Sequence, residues 1–141
     1  PETPVSRPDL LEKYPLILIT GGRSIEYFNS EGRYLQILRR SHPEPVCEIH
    51  PDTARERSIA DGDGVVVEGV RGSIRQRAKL TDRVHPKVVH IEHGWWYPEM
   101  GVGGGWDVSN ANILTECNPP LDPLMGSTCL RGLLCNVRRA D

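Results

Sequence analysis

The chain has 141 residues, with 17 Lys+Arg against 19 Asp+Glu and a formal net charge of −2 at pH 7. That length fits one domain with its own core, and the balanced charge excludes an overall field favouring nucleic acid or an anionic membrane. No apolar run approaches spanning length and the start lacks the profile of a signal peptide, which favours a soluble chain, cytoplasmic in preference to exported.

Residues 1–13, PETPVSRPDLLEK, carry three prolines and few apolar residues, and read as a linker entering a domain. Residues 14–141 then form the domain itself. Its opening run, Leu16-Ile17-Leu18-Ile19-Thr20, is short, partly β-branched and bounded by Pro15 and Gly21-Gly22, as a buried strand is. The glycine pair is expected to end that strand and to free backbone N–H groups for an approaching ligand. Arg23 adds a fixed charge, and Tyr27, Phe28, Asn29 and Ser30 add stacking surface and hydrogen-bonding groups. The plain alternative is a strand-to-loop junction in which the glycines only make a turn.

Arg33–Arg40, with Tyr34, Leu35 and Leu38 at helical spacing and basic residues elsewhere, predicts a short surface helix stopped by Pro43 and Pro45. Val46–His50 alternates as a second strand. Pro51 suits a first helical position, with Thr53 and Glu56 at capping-box spacing and Ala54 and Ile59 facing inward. Val65–Glu68 and Ser73–Leu80 predict a hairpin turning near Arg71-Gly72. In its second arm Ile74, Ala78 and Leu80 share one face; Ser73, Arg75, Arg77 and Lys79 share the other, which reads as solvated. Val88–His93 predicts a further strand running into Gly94-Trp95-Trp96-Tyr97, where strand alternation would expose at least one aromatic or pack it on something bound. Gly101–Gly105 reads as a flexible loop, Asn110–Thr115 and Asn118–Pro123 as polar loops, and Leu133–Val137 as a last strand. Many short strands with Gly/Pro punctuation give a mainly β, barrel-like domain with a few short helices.

Cys47, Cys117, Cys129 and Cys135 contain no CxxC pair, so free thiols are expected in preference to disulfides or zinc. His90 and His93 form an HxxH, yet on a strand they point to opposite faces. Trp106 stands where a GxGxxG motif needs its third glycine, and no GxxxxGK[ST] occurs, which excludes the common nucleotide loops.

The order of the segments YPLILITGGR, YFNSEGR, EIHPDTARERSIADGDGVVVEGVRGSIRQRAKLTDRVHPKVVHIEHGWW, NANILT and LDPLMGSTCLRGLLCNV resembles the C-terminal domain of the molybdopterin oxidoreductases. That superfamily includes formate dehydrogenases, nitrate reductases and dimethyl sulfoxide reductases, and the likeness covers residues 14 to 138. It implies a double-psi β-barrel that binds molybdopterin guanine dinucleotide. The loop after the first strand, which closes over the pterins in the family, maps onto Thr20, Gly21, Gly22, Arg23, Tyr27, Phe28, Asn29 and Ser30; many members have His where Asn29 stands. The loop after the late strand maps onto His93, Gly94, Trp95 and Trp96. The NxLT segment maps onto Asn112, and a basic residue, commonly Lys in the family, maps onto Arg131.

A flat pterin with a diphosphate needs hydrogen-bonding edges, apolar walls and positive charge, and these stretches supply all three. In the family the Mo or W ligand and the iron–sulfur cysteines come from earlier domains. The resemblance therefore implies a domain that is catalytically silent alone, partnered by preceding domains of the same chain or by a separate catalytic subunit, with no nucleic-acid or membrane contact. Rival readings are a pyruvoyl-dependent decarboxylase, for which Gly72-Ser73 would be the self-processing bond, and a barrel adaptor that recruits proteins without a cofactor.

Overall fold

Alternating burial builds most of the strands, and the strands close on themselves. The computed structural model describes residues 2–118 and 121–141. Its strands are β1 (Leu16–Gly22), β2 (Val46–Ile49), β3 (Gly64–Gly69), β4 (Ser73–Leu80), β5 (Val88–Glu92) and β6 (Arg131–Arg139). They form a closed barrel in the order β1-β5-β2-β4-β3-β6. Two pairings are parallel, β1 with β5 and β2 with β4, and the other four are antiparallel. This mainly β barrel with a few short helices is the double-psi arrangement expected. Inward-facing Leu18, Ile49, Val67, Ile74, Val89 and Val137 fill it, each at most 1% exposed. Burying each such side chain contributes roughly 1.5–3 kcal/mol, so these strands are held chiefly by their inner faces. Cys47 and Cys135 lie in the same core; Cys117 is exposed, Cys129 is half-buried, and all four are free.

The first strand ends with its glycine pair, as the sequence led us to expect. It runs through Gly22, with an irregularity in its pairing with β5 between Ile19 and Gly22. The second glycine has a packing reason: a Cβ on Gly22 would sit 2.6 Å from the Ile91 carbonyl oxygen. Glycine is needed there for close approach of two strands.

Helix α1 (Gln36–Ser41) starts later than predicted, and Tyr34 and Leu35 are 68% and 44% exposed, whereas Arg33 just before it is buried. In α2 (Pro51–Glu56), Ala54 is buried, as is Ile59 beyond it, and Pro51 takes the first position, but the capping box does not form. His50 caps instead, its Nδ1 accepting from the Asp52 N–H at 3.2 Å, while buried Thr53 donates to the Pro86 carbonyl. The β3–β4 hairpin forms where expected, closed by the Gly69 N–H on the Gly72 carbonyl at 2.9 Å. Arg77 and Lys79 on its outer face pair with Glu44 and Glu48. Trp106–Ser109 is a further short helix, α3, followed by a 3-10 turn over Ala111–Leu114. That turn corrects the polar-loop reading of residues 110–115, because Ala111 and Leu114 are core residues. The predicted loop 118–123 includes residues 119 and 120, outside the described residues.

Residues 2–13 lie against the barrel at their start, where the Leu134 N–H donates to the Glu2 carbonyl at 2.8 Å. The Arg71 guanidinium hydrogen-bonds the carboxylates of both Glu2 and Glu116. Among the described residues no helix is long and apolar enough to cross a membrane.

Gly22→Ala is expected to lower stability by about 1–3 kcal/mol through overpacking, read as a drop in melting temperature. Gly21→Ala, whose Cβ meets only the flexible Arg131 guanidinium at 3.4 Å or beyond, should melt near the parent. A second expectation concerns acid. The Arg71 hydrogen bond holds the Glu2 carboxyl below its ordinary 4.5. That stabilisation is complete above the unfolded value and is lost as pH falls through the lower folded one. Glu2→Gln should flatten this part of the acid melting profile.

Candidate functional site

The ends of β1 and β5, side by side and parallel, carry the sequence's candidates to one rim. Thr20 is buried on β1, and its hydroxyl donates to the Leu130 carbonyl at 2.6 Å. This fixes the entry to β6 and brings Arg131 over Gly21, with its Nη2 3.4 Å from where a Cβ of Gly21 would stand. Beside them opens a groove of about 280 Å³ lined by Thr20, Gly21, Arg23, His93, Ala111, Asn112, Leu130 and Arg131. Asn112 arrives from the 3-10 turn, whose start is capped by the Asn110 side chain accepting from the Asn112 N–H at 3.0 Å. Six of the residues singled out in sequence therefore share one groove.

Gly22 and Asn29 join them through His93. The His93 Nδ1–H donates to the Gly22 carbonyl at 2.8 Å, and Nε2 lies 3.0 Å from the Asn29 side-chain amide. With Nδ1 donating to the Gly22 carbonyl, a neutral ring accepts at Nε2 from the Asn29 NH₂, whereas a doubly protonated ring donates there to Asn29 Oδ1. Asn29 has a left-handed φ of 51°, a conformation Asn tolerates better than most residues. Gly94, at φ 68°, abuts it: a Cβ there would be 3.0 Å from Ser30 Oγ and 3.3 Å from the Asn29 carbonyl carbon. The Trp96 indole N–H donates to the Ser30 carbonyl at 2.6 Å. Segments 27–30 and 93–96 thus act as one joined rim.

Beneath that rim lies a residue the sequence reading placed on the surface helix. Arg33 is 3% exposed, and its guanidinium carbon stands 4.1 Å and 3.9 Å from the ring centres of Tyr27 and Trp95. Its Nη2 donates to the carbonyls of Asn29 at 3.1 Å and Gly94 at 3.3 Å. Burial pulls its pKa down, while the negative charge of Glu92 and the neighbouring Tyr27 push back. Tyr27 itself is buried and donates to the His42 carbonyl at 2.8 Å. Trp95 is fully buried, so both aromatics lie in the packing under the rim. Phe28 is 71% exposed and, like half-buried Trp96, lies outside the groove lining. None of the three consecutive aromatics is openly exposed, because the chain leaves β5 and turns at Gly94 before strand alternation can apply. The one available signal for Arg33 was its position closing the YFNSEGR segment.

On the other side of Arg23 a second cleft, of about 260 Å³, holds two imidazole–carboxylate pairs. His42 Nε2 lies 2.9 Å from Glu92, and His90 Nδ1 lies 2.9 Å from Glu48, which also faces Lys79 at 3.5 Å. Burial opposes the charge on Glu48, but hydrogen bonds from His90 and Lys79 outweigh it and leave the carboxyl below its ordinary range. His90 and His93 diverge, as their spacing implied. Among the described residues no group of three or more His, Cys, Asp or Glu side chains could hold a metal ion.

A groove with two guanidinium groups, an imidazole, an amide and a hydroxyl, floored partly by glycine, can hold a flat, polar, anionic molecule. It offers no nucleophile paired with a base. The comparisons with known proteins agree with that chemistry. The family model described as "Molydopterin dinucleotide binding domain" matches residues 16–134. The chain is 40% identical over 133 residues to a dopamine dehydroxylase of Eggerthella lenta, covering 94% of this chain and 13% of that protein. It is 33% identical over 137 residues to an acetylene hydratase of Syntrophotalea acetylenica, covering 93% and 19%. The solved acetylene hydratase from Pelobacter acetylenicus superposes with a TM-score of 0.87 at 31% identity, over 99% of this chain and 20% of that one. The chain therefore spans less than a fifth of the length of these curated relatives. By its family model and its fold, it belongs to the molybdopterin dinucleotide-binding domains, whose cofactor is molybdopterin guanine dinucleotide.

Proposed function

We propose that the groove between Gly21, Arg23, His93, Asn112 and Arg131 grips part of the molybdopterin dinucleotide, as one wall of a site completed by other domains of a longer oxidoreductase chain. The observation that carries this reading is the convergence of those residues from four separate segments on one groove. The donor set fits the group. Gly21 leaves its side of the groove free of a side chain, Arg23 and Arg131 match phosphate or carbonyl oxygens, and Asn112 and His93 match the N–H and C=O edges of a pterin. Arg131 takes the place where relatives commonly have Lys, and its planar fork can bond two oxygens where an ammonium offers a point charge.

When bound, the cofactor supplies the metal and the redox-active ring system of the complete enzyme. This chain's residues bind and orient it: Thr20 fixes the Arg131 segment, Gly22 fixes the His93 ring, and His93 fixes the Asn29 amide. Residues 14–141 then serve as the binding domain and residues 1–13 as its connector, inactive when isolated. Its partners in this reading are the other domains of the enzyme or a separate catalytic subunit, with no nucleic acid or membrane involved. Ile25, Phe28 and Ile37, 100%, 71% and 78% exposed, offer apolar surface for those neighbours. The rival bond Gly72-Ser73 closes the β3–β4 hairpin, a structural task that needs no self-processing chemistry.

In the complete enzyme, Arg23→Ala and Asn112→Ala should each weaken cofactor retention by about tenfold, the effect of losing one hydrogen bond to a charged or buried partner. Pterin and metal content per protein would fall while melting of the apo-protein stays near the parent. Arg55→Ala, a 76% exposed side chain on α2, should change neither. Parental pterin and metal content in both groove variants would overturn the assignment.

A further inference from the structure

We propose that Arg33 is the positioning residue of the cofactor rim, its guanidinium tying the carbonyls of Asn29 and Gly94 so that the Asn29–His93 pair is held ready for the ligand. The inference rests on the groove reading above and adds to it a residue that does not line the groove.

Three observations carry it. The first is where the donated bonds go. One nitrogen, Nη2, reaches a carbonyl on each of the two loops, at 3.1 Å and 3.3 Å; of the two residues it joins, Asn29 is a partner in the His93–Asn29 contact and Gly94 directly follows His93. Both carry left-handed backbone, φ 51° at Asn29 and 68° at Gly94. At Gly94 that conformation carries no strain, but at Asn29 it is held by the surroundings, and the doubly shared donor is part of them.

The second is what the bonds leave out. Arg33 is nearly sealed from water, yet its Nε and Nη1 have no hydrogen-bond partner among the described residues. Removing a charge from water is costly, and apolar side chains of similar volume commonly stabilise a core as well or better. Stability alone does not call for an arginine with most of its donors idle. A requirement for two carbonyls to be held at a fixed separation does.

The third is the shape of the enclosure. Tyr27 and Trp95 lie within 4.1 Å and 3.9 Å of the guanidinium carbon, and Trp95 meets Tyr27 edge-on at 5.6 Å. Planar guanidinium stacks on such rings, which fixes its orientation as well as its place; an ammonium lacks that plane. Arg39 provides the contrast. It lies 5.7 Å from the Trp95 ring but gives its charge to Glu99 at 2.8 Å and touches neither loop carbonyl.

The test uses the full-length enzyme with Arg33→Ala, Arg33→Lys and, for comparison, Arg39→Ala and Asn112→Ala. Cofactor release after dilution and amide hydrogen exchange over residues 28–31 and 93–96 are followed, with melting of the barrel in parallel. Arg33→Ala should release cofactor at least tenfold faster and exchange faster in those two segments only. Millimolar guanidinium ion should restore both readings in part, and equimolar urea should not. Arg33→Lys, which keeps the charge and can hold one carbonyl at a time, should fall between. Arg39→Ala should behave as the parent. Should Arg33→Ala fail to fold, Arg33→Lys decides: parental release and exchange in that variant overturn the proposal. So does a loosening of Arg33→Ala spread over the whole barrel without guanidinium rescue. If Asn112→Ala loses cofactor and Arg33→Lys does not, the groove stands and the role of Arg33 falls. If neither the Asn112 nor the Arg33 variants lose cofactor, the groove reading itself falls and takes this one with it.

Discussion

The architecture depends on two parallel strands approaching more closely than a side chain permits. At Gly22, β1 meets the main chain of β5 so tightly that a Cβ would stand 2.6 Å from a carbonyl oxygen. This contact sets the end of the barrel where the loops emerge. It puts the Gly22 carbonyl within 2.8 Å of the His93 ring, and through that ring it governs where Asn29 sits. Because side chains fix the register on the inner faces, the strands cannot slip to relieve the crowding without turning apolar residues outward. The rim is thus positioned by the core.

Above the core the forces change character. Loop segments 27–30 and 93–96 contain left-handed backbone and exposed side chains, and lack a strand ladder of their own. A buried cation clasped between aromatic rings holds them, supported by the Trp96 indole on Ser30. Burial of charge disfavours such an arrangement, and the aromatic faces, the shared carbonyls and nearby Glu92 offset part of the penalty. A rim built this way is rigid where the proposed ligand would lie, yet it depends on few interactions, unlike the barrel wall.

Much of the fold could be read from the residues because strand alternation is local. The hairpin of β3 and β4, the apolar run of β1 and the inner face of β4 all announce themselves within eight or so positions. The parallel pairings of β1 with β5 and β2 with β4 do not, since they join segments far apart in the chain. Gly22 does end its strand, but the close approach that also requires a glycine there comes from a partner strand some seventy residues away and leaves no local signal. Arg33 looked like surface because charge usually is. Ala111 and Leu114 were hidden among polar neighbours that face outward while these two face the core. Trp95 to Tyr97 broke the alternation rule where Gly94 turned the chain. The groove residues were legible chiefly through the family likeness; single residues such as Asn112 carry no local mark of their place in it.

The placement of the four thiols has a practical consequence. Cys47 and Cys135 are shut inside the barrel, where burial drives the Cys135 thiol up to about 12 and raises that of Cys47 as well. Thiolate is the reactive form, so alkylating reagents meet two inert sulfurs within and two approachable ones, Cys117 and Cys129, without. The ratio of fast to slow labelling is therefore a built-in gauge of whether the staves of the barrel are closed, legible by mass alone.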